Sequence, residues 1–410
     1  MAHCDGLNLL YGGVSYRSKV HPAQRTRWRQ VAIAPGANRG ASALMAAAII
    51  LFGLHQHALA EGWVGAYVWG GVITKSAGVQ RFYDTIFAVL DAGFDTVRIA
   101  PGPNAIDEVT LAPSCVKDDT LACYARLLLA SDVWDHPKLR RVMLTAIDRT
   151  CQTNGRSNDG CLISSLLLAN KDRIKAEYAA LFNVIRDRFA GRNIQVILSN
   201  WEGDNFVYCG SAFDFGKNAK EVFPERCRAA WPGAQTNLER VQAHLLWHRL
   251  RDEAVSEFTA ANPGLDLISA PEINSLVLFE PGCGGLCNPS TDKIVDQIAA
   301  TGGRKHCSYS SYDTQGLSSR GGLVAAVKRL LSVCGNVIIG EAGYDLLRPG
   351  NLRRSIELFE TLDRVRRLRG VLGVVIWNAV DPADGSSKYG LFDASGAPQL
   401  LQHLGPLARP

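Results

Sequence analysis

The sequence has no apolar run of the ~20 residues that a membrane span needs; its best candidate, residues 41–54, stops short. It has no C-x-x-C pair, which removes the common zinc and thiol-redox frameworks. H-E-x-x-H and G-x-S-x-G are absent and no Ser-His-Asp arrangement is visible, so neither a zinc protease nor a serine hydrolase is indicated. No Gly-rich phosphate turn follows the first predicted strand, which argues against a dinucleotide-binding fold. Fixed-period repeats, low-complexity tracts and a second domain are also missing. These absences leave one large domain for which no cofactor and no metal are predicted.

The body of the chain also lacks net charge. Residues 1–60 hold six basic residues and one acid; setting these aside from the 44 and 39 of the whole chain leaves 38 of each. A balanced body carries no electrostatic footprint for nucleic acid. The basic leader runs into the apolar stretch 41–54 and then into His-Ala-Leu-Ala ending at Ala60, the pattern of a secretory signal peptide. The expectation is a leader over 1–60 cleaved near Ala60, and a body over 61–410 with no stable membrane insertion after cleavage. That body would be secreted or periplasmic and monomeric.

Cysteine usage agrees with an oxidising compartment. Behind the leader stand ten cysteines: Cys115, Cys123, Cys151, Cys161, Cys209, Cys227, Cys283, Cys287, Cys307 and Cys334. Pairing in sequential order would make every bridge local, stapling four long loops and tying two neighbouring units. The sequence alone leaves the connectivity open.

What is present in quantity is alternation. Strands are predicted over 61–72, 94–100, 141–147, 194–198, 265–270, 307–311, 337–341 and 371–377. Helices are predicted between them over 79–90, 120–130, 174–189, 237–261, 290–300 and 323–333, from Asn351 as N-cap, and last over 398–404. Eight strands alternating with helices in about 350 residues imply a parallel sheet closed into a (β/α)8 TIM barrel, a single domain with long disulfide-stapled loops. Functional residues of such barrels collect at the C-terminal strand ends. The unusual polar residues fall there: Arg98, Asp148, Asn200, Glu202, Glu272, Tyr312, Glu341, Trp377 and Asn378.

Two strand-end glutamates, Glu202 and Glu341, suit glycoside hydrolysis. One carboxylic acid protonates the departing oxygen while the other, about 5–5.5 Å away in a retaining enzyme, attacks the anomeric carbon. Arg98 on the second strand would keep the attacking carboxylate ionised. Trp69, Trp201, Trp377 and Tyr344 offer flat faces for sugar rings. Asp204 and Glu272 are rival proton donors, Glu272 and Asn274 read more simply as loop caps, and Asp148 as a capping or pairing group. His244 and His248 share a helix face, but that helix should lie outside the barrel, and they read as surface or packing residues.

With those residues placed, the body resembles the clan A glycoside hydrolases, retaining (β/α)8 barrels typified by the cellulase-like family 5 enzymes. Thr96-Val97-Arg98-Ile99 is similar to their second strand, and Glu202 falls where the fourth-strand acid/base sits. Ser310-Ser311-Tyr312 resembles the sixth-strand His-x-Tyr, Gly340-Glu341-Ala342-Gly343 the nucleophile motif, and Trp377 the eighth-strand tryptophan. Tyr389-Gly390-Leu391-Phe392-Asp393, with Gly396 and Pro398, resembles the segment beyond it.

The resemblance implies a retaining glycosidase acting on a poly- or oligosaccharide. Glu341 would be its nucleophile and Glu202 its acid/base. Arg98 and Tyr312 would hold Glu341, Asn200 would touch the sugar's 2-hydroxyl, and Trp69, Trp201 and Trp377 would line the substrate path. Two departures mark the chain as divergent: Trp201 intervenes between Asn200 and Glu202, and Ser310 stands where the histidine is usual. They keep open a glycan-binding barrel without catalysis and, further off, a barrel acting on other substrates.

Overall fold

Strand formation follows the β-branched and apolar runs, and their flanking turns set the connections. In the computed structural model the described residues are 62–69, 79–102, 115, 118, 120–148, 162–201, 203–208, 237–274, 276, 289–312, 322–382 and 385–408. The side chains at 206, 237, 289, 290, 292, 311, 312, 406 and 408 are not among them. All belong to the unit Ala58–Pro410.

The strands are β1 (Trp63–Tyr67), β2 (Thr96–Ile99), β3 (Arg141–Thr145), β4 (Gln195–Ser199), β5 (Asp266–Ser269), β6 (Glu272–Ile273), β7 (Arg304–Tyr312), β8 (Cys334–Gly343) and β9 (Val371–Ile376). All pairings between them are parallel, in the order β5-β4-β3-β2-β1-β9-β8-β7-β6. The two ends of that order, β5 and β6, are separated in the chain only by Ala270-Pro271. They are therefore one bent fifth strand, whose first half pairs with β4 and whose second half pairs with β7. This closes the sheet into the expected (β/α)8 barrel. Proline has no N–H to give a ladder, so the change of partner falls at Pro271; its carbonyl still accepts from the Ser308 amide at 2.8 Å.

The helices are α1 (Gln80–Asp91), α2 (Leu121–Leu128), α3 (Ser164–Ala169), α4 (Lys171–Phe189), α5 (Gly203–Val207), α6 (Asn237–Ala261), α7 (Pro289–Ala300), α8 (Gly322–Leu331) and α9 (Asn351–Arg366). Their apolar faces pack on the outer side of the barrel, with Val97, Val142, Leu144, Val196, Ile339 and Val374 facing Phe82, Leu181, Val327 and Leu358 in one cluster. Inside the barrel a smaller cluster of Tyr67, Met143, Ile197, Ala270, Ile338 and Val375 fills the bore, so the interior is a packed core.

Two local expectations change. Asn351 is the first residue of α9 and not its cap; Gly350 occupies that place at φ +78°, and the Asn351 amide donates to the Asp345 carbonyl. The predicted last helix is reduced to short 3-10 turns at Leu401–His403 and Gly405–Ala408. Of the five expected disulfides, Cys115–Cys123 and Cys307–Cys334 are formed. Cys151, Cys161, Cys209, Cys227, Cys283 and Cys287 lie outside the described residues.

One irregularity in β8 matters for the site. Tyr309 of β7 pairs with Ile339, yet the next residue, Ser310, pairs with Glu341. On the other side Ile339 pairs with Val374 and Ala342 with Ile376, so two residues of β8 oppose one of β9. Gly340 is thus the extra residue of a β-bulge against both neighbours. Strict alternation from Ile338, an inward residue, would point Gly340 inward and Glu341 outward. The bulge brings Glu341 to the inner face as well.

Only glycine fits there. A Cβ at position 340 would fall against Glu272 Oε2 and Ser308 Oγ and lie 2.6 Å from Arg98 Nη1. The Gly340→Ala variant is therefore expected to lose roughly 3 kcal/mol of stability, the upper end of ordinary overpacking costs. Urea unfolding measures it, and an unchanged midpoint would contradict this placement of the bulge.

Candidate active site

Residues of six strands bring together a polar layer in the bore. Arg98 (β2) is fully buried and clamped by Glu272 at the start of β6. Its Nη1 donates to Oε2 at 2.6 Å and its Nη2 to Oε1 at 3.0 Å. The same Nη2 lies 2.9 Å from Glu341 Oε1, and Nε donates to Thr145 Oγ1 at 2.8 Å. Ser308 (β7) donates to Glu272 Oε2 at 2.9 Å. The Tyr67 ring lies under the guanidinium, 4.7 Å from centroid to Cζ. Burial works against the charge of Arg98, and Glu272 and Glu341 more than offset it, holding the guanidinium protonated. Burial pushes the Tyr67 phenol up, against the lowering pull of Arg98.

One cation and two carboxylates thus share a site closed to solvent, since Arg98, Glu272 and Glu341 are all 0 % exposed. Beside them Trp377 packs edge-on against Tyr67, with centroids 4.9 Å apart, and lies 6.0 Å from Trp69. Trp69 and Trp377 are partly exposed, and Trp201 is 40 % exposed. The Trp377–Asn378 peptide is cis. Tyr344 is no platform; it is buried in the outer core. Glu202 lies outside the described residues. Tyr312 ends β7 in the backbone, and its side chain is likewise outside them. Ser310, the register partner of Glu341, is buried.

Asn200 is not brought to the bore. It follows inward-facing Ser199, so its side chain lies behind the sheet. There its Oδ1 accepts from the Glu272 amide at 2.9 Å, and its Nδ2 donates to the Glu272 carbonyl at 3.2 Å. Arg251 Nη1 adds a third bond at 3.0 Å to the same Oδ1. β4 and the fifth strand part after Ala270, whose amide still reaches the Leu198 carbonyl. Beyond that point the Asn200 amide replaces the missing ladder bonds. This buried position, with both ends of the amide engaged, corrects the expectation that Asn200 touches a sugar hydroxyl.

Glu272, expected as a loop cap or a rival proton donor, is no loop cap; it stands buried in the bore and clamps Arg98. The signal was its place in the inward series Ile268, Ala270, Glu272. His244 and His248 are packing residues, 1 % and 2 % exposed, with their Nε2 atoms 2.9 Å apart. With Arg240 and Arg251 they form a buried polar stripe along α6. Burial, reinforced by Arg251, pushes His244 down to about 3, so it is neutral at physiological pH. Asp148 pairs with the Trp247 indole. Among the described residues no cluster could hold a metal ion, and no helix is long and apolar enough to cross a membrane.

Asp204, at the start of α5, is buried. It accepts from the Asn274 amide at 2.6 Å and from Thr291 Oγ1 at 2.9 Å. Burial raises its carboxyl to about 7, partly countered by those two bonds. A folded-state value above the unfolded one contributes stability that is full below pH ~4 and lost as pH rises through about 7. The Asp204→Asn variant is expected to remove a decline of about 4 kcal/mol between pH 4 and 8. Parallel unfolding curves of the two proteins across that range check it; identical slopes would contradict it.

No protein-family model matches the chain, and no curated protein does. Solved structures do. An exo-β-1,4-mannosidase from an Opitutaceae bacterium aligns at TM-score 0.52 and 15% identity over 85% of this chain, which spans 58% of the mannosidase's length. A β-glucosidase aligns at 0.50 and 13% identity, over 85% of this chain and 98% of its own. A GH5_18 enzyme of Bifidobacterium longum subsp. longum, solved with Manβ1-4GlcNAc, aligns at 0.50 and 14% identity, over 85% and 78%. At these identities the likeness establishes the fold, a barrel of the kind these glycoside hydrolases have.

Proposed function

We propose that this chain is a secreted or periplasmic retaining glycosidase, monomeric, in which Glu341 attacks the anomeric carbon of an O-glycosidic bond. The observation that carries the reading is the bulge at Gly340, which turns the Glu341 carboxylate into the barrel beside Arg98 at the C-terminal strand ends. Arg98 favours the ionised form that attack requires. As the glycosyl–oxygen bond breaks, the departing oxygen takes its proton from Glu202. Glu202 then takes a proton from water, which displaces Glu341 and returns the sugar with retained configuration. Trp377 and Trp69, partly exposed beside the carboxylates, supply the apolar faces on which a sugar ring packs. Two disulfides support an oxidising compartment.

The full burial of Glu341 favours a second reading, a glycan-binding barrel in which this carboxylate only balances Arg98. A panel of activated aryl glycosides and polysaccharides separates the two. Turnover, with the first-formed sugar of unchanged anomeric configuration by proton NMR, is expected for the glycosidase. Glycan pull-down with no product from any substrate would select the second reading.

A further inference from the structure

Arg98 gives its two best-aligned donors to Glu272, at 2.6 and 3.0 Å, and only the far edge of Nη2 to Glu341. A bidentate pair is the strongest arrangement open to a guanidinium. Glu272 is itself fixed on every side. Ser308 donates to its Oε2, and the Asn200 amide grips its backbone at both N–H and C=O. The backbone of Asn200 also accepts from Arg98 Nη2 at 3.2 Å. This is more support than a charge-balancing counterion needs.

We propose that Glu272 is a positioning residue for Glu341: it clamps Arg98 and takes up most of its charge, leaving Glu341 a more basic and more reactive nucleophile than a private arginine would. The proposal rests on the glycosidase reading above. The physics is one of competition. An arginine held by Glu341 alone would bind its carboxylate as tightly as it binds Glu272 now, and nucleophilic reactivity falls with basicity. With Glu272 present the cluster carries a net charge of −1, and the repulsion between the two carboxylates offsets part of Arg98's pull on Glu341. Among the described residues, the groups facing Glu341 are Arg98 from β2, Glu272 from β6 and Tyr67 from β1. Thr145 and Ser308 add hydroxyls that bind Arg98 and Glu272, and β7 places a serine, Ser310, opposite Glu341. No histidine or lysine of the described residues joins this cluster, and Glu272 is the carboxylate that shares Arg98 with Glu341.

The test is the pH profile of kcat/KM on an activated aryl glycoside for the wild type and Glu272→Gln, with folding checked by circular dichroism. The acid limb reports the nucleophile in the free enzyme. In E272Q that limb is expected to move to lower pH by on the order of one unit, and kcat/KM at neutral pH to fall roughly tenfold. A uniform loss with the limb in place would overturn the proposal, because that is what a purely structural role gives. Should E272Q not fold, Glu272→Asp retains the charge. Its limb is expected within about 0.3 unit of the wild type, and a displacement of about a full unit would overturn the proposal. An inactive wild type would overturn the catalytic reading itself, an outcome distinct from either shift.

Discussion

Replacing Glu341 by glutamine is expected to lower kcat/KM on an activated aryl glycoside by at least about 1,000-fold while leaving the fold intact. The two halves of that expectation have separate causes. Glutamine is nearly isosteric with glutamate, so the bulge at Gly340 and the packing around it are preserved. Arg98 keeps its bidentate partner Glu272, and the cluster passes from a net −1 to neutral, so no charge is left buried without a counterion. Stability is expected to stay level or to rise. Catalysis is lost because an amide cannot supply the electron pair that bonds to the anomeric carbon. Steady-state rates and a urea midpoint measured on the same preparation check both halves. A variant that keeps its rate would remove Glu341 from the mechanism, and one that loses rate only because it unfolds would make it a structural residue.

Replacing Arg98 by methionine is expected to destabilise the protein by about 3–5 kcal/mol. Methionine fills a similar volume but leaves Glu272 and Glu341 facing each other in the bore, with Ser308 still donating to Glu272. Two buried carboxylates without a cation cannot both stay ionised, so one takes up a proton. Their values in the folded variant would then lie above those in the unfolded chain. The variant is expected to hold more of its stability in acid and to lose it as pH rises, since the unfolded state binds fewer protons. Urea unfolding at pH 5 and pH 8 measures this, with the larger deficit expected at pH 8. A deficit below about 1 kcal/mol at both values would mean that the ion cluster contributes little to the fold.

Much of the barrel was legible because its signals are local. β-Branched runs, helix-period faces and terminating glycines such as Gly93 and Gly191, both at positive φ, each act over a few residues. Arg98 was legible as a charge inside an apolar strand, and Gly340 as slack before Glu341. What escaped depends on contacts far apart in the chain. Glu272 sits behind Pro271, which reads as a strand end; it is instead the point where one strand changes partners, and that is visible only once β4 and β7 are in place. Asn200 precedes the motif in which an exposed role was expected, but the gap beside the bent strand draws its amide into the wall. The stripe of Arg240, His244, His248 and Arg251 has helical spacing and polar character, which in isolation describes a solvated face. Here α6 turns it against the seam of the barrel, and burial holds the histidines neutral.

A bond between Glu341 and the sugar carbon is trapped by incubating the wild-type protein with a 2-deoxy-2-fluoro aryl glycoside of the sugar it turns over, which slows breakdown of a glycosyl–enzyme more than its formation. Intact-protein mass spectrometry is expected to show one added fluoroglycosyl unit, and peptide mapping to place it on Glu341. A label on another carboxylate, or steady turnover of the panel with no label at all, would exclude Glu341 as the nucleophile.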